Sequence, residues 1–155
     1  MTSQNFARAL GFTLSFEGGW SDNPRDPGGA TMRGVTLNTY RLYHPRATAT
    51  QLRNAPMSDF QAIYRQDFWA KIGGDGLPSG VDLLAFDIAV NMGPGRARAW
   101  IAATAHLGAQ ERIHRLDELR LGFWRHLTRE WRVFGRGWCR RENACLKTAL
   151  ELAGA

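Results

Sequence analysis

The stretch FEGGWSDNPRDPGGATMRGVT, from Phe16 to Thr36, places one glutamate directly before two glycines and follows it with many turn residues. Glu17 comes three residues after Leu14 and four after Thr13, so it continues the apolar stripe of a predicted first helix. This position shields the carboxyl from water and sets it at the negative end of the helix dipole, and both effects favour its protonated form. Glu17 is therefore a candidate general acid, the alternative being a glutamate that caps a turn or pairs with an arginine.

The proline- and glycine-rich part of the stretch predicts a fold-back of the chain towards Glu17. A β-prone run begins at Thr31 and is expected to form a short strand, in a hairpin with the residues near Trp20. Asp26 lies in a solvated turn and should stay ionised. A protonated acid opposite an ionised carboxylate, with a hydroxyl to hold water, is an arrangement that cleaves glycosidic bonds. Asp26 and Thr31 are thus candidate catalytic partners, with Asp22 as a competing carboxylate and a purely structural loop as the alternative.

The composition predicts one soluble globular domain spanning residues 1–155. The chain has 155 residues, 44% of them hydrophobic, and no long apolar run or signal-peptide pattern. Its net charge of +6 is supplied mostly by arginine and predicts attraction to a polyanion, either nucleic acid or an anionic cell wall, unless the arginines only solvate helix faces. Cys139 and Cys145 are expected to be reduced thiols. The scattered histidines give no zinc spacing, so neither a metal nor a cofactor is expected.

The hydrophobic periodicity predicts a mainly helical, α+β fold with a small β-hairpin lobe. Most of the helices are separated by glycine or proline. The predicted features are a first helix capped by Ser3, a helix capped by Thr36, a helix starting with a Ser58–Gln61 capping box, a buried helix at Val81–Met92, and helices at about Arg96–Leu107, Ile113–Leu127 and Trp138–Leu152.

Three further residues are candidate substrate-binding groups, each with a structural alternative. Asn91 lies four residues after Asp87 on the buried helix, where it either completes a buried polar pair or reaches the cleft to bind an acetamido or hydroxyl group. Trp20 either stacks on a sugar ring or closes the core under the hairpin. Arg33 either meets a substrate carboxylate or is simply solvated.

The order of motifs along nearly the whole chain resembles glycoside hydrolase family 108, a family of small N-acetylmuramidases of phage and bacterial origin. The resemblance rests on EGGW, DPGGAT and GVT in the opening stretch, followed by IYRQDFW, LPSGVDLLAFDIAVNMGPGRA and FGRGWCRR. The spacing of nine residues from Glu17 to Asp26 and five from Asp26 to Thr31 is also similar to the wider phage lysozyme group. Many relatives carry a longer insert with a D-G-x-x-G turn, which is absent here, so residues 96–155 are expected to be a shortened helical part that packs on the catalytic lobe.

The resemblance implies a lysozyme-like fold with a cleft between a helical lobe and the β-hairpin lobe. It implies Glu17 as general acid and Asp26 and Thr31 as the groups that position water. The implied substrate is peptidoglycan, cleaved at the β-1,4 bond between N-acetylmuramic acid and N-acetylglucosamine. A monomer that binds glycan strands, binds no specific nucleic acid and does not insert into membranes is expected.

Three other functions remain open at this stage. A lytic transglycosylase would use the same acid but form an anhydro ring without water. A non-catalytic peptidoglycan-binding protein would keep the fold without the chemistry, and a nucleic-acid-binding protein would use the basic region, although no groove-reading motif supports it. Without a signal peptide, the chain is expected to be made in the cytoplasm and to reach the wall through a holin-type pore or a secretion system.

Overall fold

The structure, a computed structural model, describes residues 2–23 and 29–154, with side chains from Gln4 onward. Within these residues the chain forms eight α-helices and three short strands. The helices are α1 Thr2–Phe16, α2 Leu37–Tyr43, α3 Ala49–Arg53, α4 Met57–Tyr64, α5 Val81–Met92, α6 Pro94–Ala103, α7 Ala109–His126 and α8 Thr128–Leu152. The strands are β1 Trp20–Ser21, β2 Thr31–Met32 and β3 Val35–Thr36.

The core is built around α5. All of its residues from Val81 to Ala89 are buried, and it packs against α1, α6, α7 and α8. A helix enclosed by others needs apolar residues all round, which explains why it lacks the amphipathic pattern of a surface helix. The predicted Val81–Met92 helix is confirmed.

The segment between α4 and α5 is a chain of tight turns. A π-helical turn at Arg65–Trp69 is followed by two 3₁₀ turns, at Ala70–Ile72 and Gly74–Gly76. Gly74 is buried against the Trp69 ring, and a Cβ there would lie 2.4 Å from the ring. The turns therefore require glycine at position 74.

The small lobe is an antiparallel sheet in the order β1-β2-β3 that contacts α2 and α3. Trp20 pairs with Met32 and Ser21 with Thr31, which confirms the predicted hairpin. The run from Thr31 to Thr36 is not one strand, however, because β2 and β3 are joined by a two-residue turn. Arg33 and Gly34 have φ values of 50° and 80°, as a type I′ turn requires.

Several predicted helix ends are corrected. Thr36 caps α2 as predicted. The predicted Ser58–Gln61 capping box is wrong, because α4 begins at Met57 with Pro56 as its N-cap and Ser58 lies inside the helix. The reciprocal capping box is formed one helix earlier, by Thr48 and Gln51. The predicted Ser3 cap is also wrong, because α1 begins at Thr2 and Ser3 lies inside the helix.

The last helix is the largest correction. α8 begins at Thr128, ten residues before the predicted start, and runs through Gly135 and Gly137. Two glycines disfavour a helix by about 1 kcal/mol each, which is why the sequence pattern predicted a break. In the folded protein, Trp131 packs against Gly135 and against Trp138, so tertiary packing offsets the poor local propensity.

Among the described helices, none is long and apolar enough to cross a membrane.

Candidate functional site

Glu17 lies just after the end of α1, where the two lobes meet. Its backbone N–H donates to the carbonyl of Leu14 at 3.3 Å, so the residue is still held by the last turn of the helix. Its side chain is 22% exposed. The carboxyl is therefore partly shielded but still open to solvent, as an acid that meets a substrate must be.

Arg141 on α8 reaches Glu17 from the helical lobe. Its Nη1 and Nη2 lie 3.3 and 3.4 Å from Glu17 Oε1, and its side chain is 11% exposed. The same guanidinium donates to Asp87 over shorter distances, 2.7 Å from Nη2 to Oδ1 and 3.2 Å from Nε to Oδ2. Asp87 is thus the closer partner of Arg141, and it offsets part of the positive charge that faces Glu17.

Asp87 is the fully buried anchor of this network on α5. Its Oδ1 accepts from the Thr13 hydroxyl at 2.9 Å, and its Oδ2 accepts from Arg120 Nη1 at 2.8 Å. Burial alone would raise the pKa of Asp87, but the guanidinium groups of Arg120 and Arg141 outweigh burial and hold the pKa below its usual value. Asp87 is therefore an ionised carboxylate, and it fixes two arginines.

The network has two branches from Asp87. The outer branch is Arg141 and Glu17, described above. The inner branch is Arg120, Glu142 and Asp117, all within the α7–α8 core. Arg120 Nε contacts Glu142 Oε2, although neither atom has a hydrogen bond of good geometry. Burial raises the pKa of Glu142 to about 8, with Arg120 opposing the shift and the Asp117 carboxyl adding to it.

Tyr64 and the β2–β3 turn hold the other side of Glu17. The Tyr64 hydroxyl donates to the Arg33 carbonyl at 2.8 Å. A Cβ at Gly34 would lie 2.6 Å from that hydroxyl and 3.0 Å from Glu17 Oε2, so only glycine fits between them. Burial raises the pKa of Tyr64, and the nearby Glu17 raises it further while Arg141 opposes, so the hydroxyl keeps its proton.

The two predicted catalytic partners differ in what the structure shows. Asp26 lies outside the described residues, so its role stays a prediction. Thr31 lies on β2, between Ser21 and Thr36, and its hydroxyl donates to the Gly29 carbonyl at 3.3 Å. No hydrogen bond joins Thr31 to Glu17 among the described residues, so its role in holding water also stays a prediction.

The predicted substrate-binding residues have partners within the protein. Trp20 is half-buried on the hydrophobic core, with the Arg53 guanidinium 5.7 Å from its ring centroid. Asn91 is exposed, and its amide donates to the backbone carbonyl of Asp87 at 2.8 Å rather than to the buried carboxylate. Arg33 is half-exposed in the turn that faces Glu17.

Arg141 and Tyr64 are members of the site that the sequence did not indicate. Arg141 is 124 residues from Glu17 in the chain, and FGRGWCRR suggests only packing. One signal was available, because a carboxylate such as Asp87 in a mostly apolar helix needs either a cation or several hydrogen-bond donors as partners. The sequence does not say which of the many arginines supplies it.

The titratable side chains were searched for a metal site over residues 2–23 and 29–154. Among the described residues, no group of three or more His, Cys, Asp or Glu side chains is arranged to hold a metal ion. Both cysteines are free, and burial raises the pKa of the Cys145 thiol well above its usual value, which makes it unreactive.

Comparison with known proteins identifies the family of this chain. A model of the glycosyl hydrolase 108 family matches residues 10–93, which include Glu17, Tyr64 and Asp87. The structure of SagA from Brucella abortus is similar, with 31% identity, a TM-score of 0.81 and 97% of each chain covered. No significant match was found among curated proteins. The similarity supports the lysozyme-like α+β fold over the whole chain, and the family match shows that this protein belongs to the glycosyl hydrolase 108 family of glycoside hydrolases.

Proposed function

We propose that the protein is a muramidase that hydrolyses the β-1,4 bond between N-acetylmuramic acid and N-acetylglucosamine in peptidoglycan. The observation that carries the proposal is Glu17, a partly shielded acid where two lobes meet, held from one side by Arg141 and bordered on the other by Gly34. The family membership supports a glycan substrate.

Glu17 acts as the general acid in this proposal. Its proton passes to the glycosidic oxygen as the bond from that oxygen to the anomeric carbon breaks. A water molecule, positioned by Asp26 and Thr31, forms the new bond to the anomeric carbon and gives up a proton to Asp26. Each turnover thus consumes one water and produces a reducing end.

Arg141 has two effects on the Glu17 carboxyl. It fixes the direction of Oε1, and its positive charge stabilises the carboxylate that remains after proton transfer. Because Asp87 binds Arg141 more closely, the positive charge that reaches Glu17 is reduced.

The first test compares wild type with Glu17→Gln on purified peptidoglycan. Glutamine keeps the size of the side chain but has no acidic proton, so we expect clearing of the substrate to fall by about 100- to 10,000-fold. Glu118→Gln, which changes an exposed glutamate on α7, is the matched control and should clear like wild type. A Glu17→Gln variant with full activity would refute the proposed acid.

Analysis of the products separates hydrolysis from the transglycosylase alternative. Reducing N-acetylmuramic acid ends are the expected product. If 1,6-anhydromuramyl ends form instead, water is not the nucleophile and the hydrolase proposal is wrong.

A stripe of arginines on α8 is proposed to hold the enzyme on its anionic polymer. Arg129, Arg132, Arg136 and Arg140 recur at steps of three and four on the exposed face, and none is in a salt bridge with another described residue. Unpaired exposed charges speed encounter with a polyanion and are screened by salt. We propose further that the protein works as a monomer on the periplasmic wall, after release from the cytoplasm.

A further inference from the structure

A stack of three aromatic rings runs outward from the core where α7 meets α8. Trp124 is buried, Trp138 stacks on it with ring centroids 5.2 Å apart, and Phe134 stacks on Trp138 at 6.0 Å. Trp131 lies against the same Trp138 ring at 6.2 Å. The stack ends in solvent, because Phe134 is 54% exposed.

The stack lies on the face of α8 that also carries Arg141. Phe134, Trp138 and Arg141 follow at steps of four and three residues, so they lie on one face of α8. Arg141 is the residue that contacts Glu17. Seven residues of helix span about 10 Å, which is comparable to the length of a disaccharide.

An exposed phenyl ring held in a fixed direction is suited to one class of ligand. Trp138 covers the inner side of Phe134, which removes much of the freedom that an exposed side chain otherwise has. Its outer side is apolar, flat and open to water. The C–H face of a pyranose ring has matching shape and polarity, and binding to a ring that is already ordered costs less conformational entropy.

We propose that Phe134 is a binding platform for a sugar ring of the glycan strand, on the face of α8 that also carries Arg141. The proposal rests on the proposed function, because it requires that the glycan strand that reacts at Glu17 continues along α8. Phe134 is a binding residue here and takes no part in the proton transfer.

The test measures KM and kcat on purified glycan strands for Phe134→Ala. We expect KM to rise by about 3- to 10-fold, the effect of losing one aromatic contact, and a smaller rise on short fragments that do not reach the platform. Phe134→Trp, which restores a flat ring, should bring KM back towards the wild-type value. A merely structural role would lower kcat and the unfolding midpoint without this dependence on strand length.

Val133→Ala provides the matched control. Val133 directly precedes Phe134 on α8 and is 72% exposed, but it points about 100° away from Phe134 around the helix. Its substitution should leave both constants unchanged. Equal KM values for Phe134→Ala and Val133→Ala, with wild type active, would overturn the platform while leaving the proposed function in place.

Two other outcomes separate the platform from its rivals. If wild-type protein releases no products from any peptidoglycan preparation, the proposed function fails first, and strand binding is then measured directly by the fluorescence of Trp138 and its neighbours. Absence of a Phe134-dependent change in that titration overturns the platform independently. If Phe134→Ala converts a dimer into a monomer in light scattering, the ring belongs to an interface between copies and the proposal is wrong.

Discussion

The outer and inner branches of the Asp87 network use the same residue types in opposite ways. Arg141 links Asp87 to Glu17, whose side chain is 22% exposed. Arg120 links Asp87 to Glu142, which is buried in the core. Both arginines bind the same carboxylate at similar distances. Solvent access to the last carboxyl group of each branch, Glu17 or Glu142, is therefore what distinguishes a group that can meet substrate from one that only supports the fold.

The contrast also explains how the Glu17 side chain is held in place. Glu17 lies at the end of a helix, where the backbone alone would leave its side chain free to rotate. Arg141 restrains it, Asp87 restrains Arg141, and the inner branch packs Asp87 and Arg120 into the core. The inner branch thus positions the outer branch without approaching the substrate.

The largest expected effect comes from removing the anchor that both branches share. Asp87→Asn leaves two arginines without their charge partner in the core, so we expect the free energy of unfolding to fall by about 3–5 kcal/mol. Urea denaturation measures this loss. Asp82→Asn is the control, because Asp82 is also buried on α5 but is bound by the N–H groups of Gly80, Leu83 and Asn5 rather than by arginine. Equal losses for the two variants would contradict the special role of the arginine pair.

The inner branch should make stability depend on pH. The pKa of Glu142 is raised from 4.5 to about 8 on folding, so its contribution is complete below pH 4.5 and is lost as the pH rises towards 8. The free energy of unfolding should therefore decrease over this range, by at most about 1.4 kcal/mol per pH unit from this group. Glu142→Gln should flatten the dependence of the unfolding free energy on pH. Glu118→Gln, which changes an exposed residue, should not. If wild type and Glu142→Gln show the same dependence of unfolding free energy on pH over this range, Glu142 is ionised in the folded protein.

The outer branch should affect catalysis more than stability. Arg141→Lys keeps a positive charge but loses the planar fork that binds Asp87 and Glu17 together. We expect kcat to fall by about 10- to 100-fold with little change in KM, because a displaced acid reacts poorly with substrate that is still bound. A rise in KM at unchanged kcat would instead make Arg141 a binding residue.

Gly34 gives a smaller, local test of the outer branch. In Gly34→Ala the new methyl group meets the Tyr64 hydroxyl and Glu17 Oε2, and Tyr64 is too buried to move aside. The carboxyl should shift, and kcat should fall by about 10-fold, the result of a displacement smaller than that in Arg141→Lys. Gly73→Ala is the control, since Gly73 has a similar φ of 67° but nothing near its Cβ position. Equal losses of activity would point to backbone strain rather than to the contact with Glu17.

The weakest expected effect concerns the exposed arginine stripe. Arg132→Gln combined with Arg136→Gln should slow lysis about two- to threefold at low salt, through slower encounter, and have no effect at high salt. Arg8→Gln with Arg98→Gln removes two exposed charges from other helices and is the control. A loss that persists in high salt would assign the stripe a role other than charge attraction.

The sequence predicted the local features of the site better than its long-range contacts. The helical phase that makes Glu17 conspicuous is a property of neighbouring residues, and so is the hairpin between Trp20 and the run that begins at Thr31. The two-residue turn at Arg33 and Gly34 was missed, because that run was predicted to be a single strand. Arg141 was missed because its contact with Glu17 depends on how α8 packs against α1 and α5. The start of α8 was missed for the same reason, since its glycines are compensated only by aromatic packing in the fold.

The central claim is that Glu17 contributes to chemistry and not to stability, unlike the buried part of the network. It is tested most directly by measuring kcat and the urea unfolding midpoint of Glu17→Gln on the same preparation. We expect a loss of kcat of at least about 100-fold with an unfolding midpoint equal to that of wild type. Retained activity, or a loss of activity that is matched by unfolding of the protein, would contradict it.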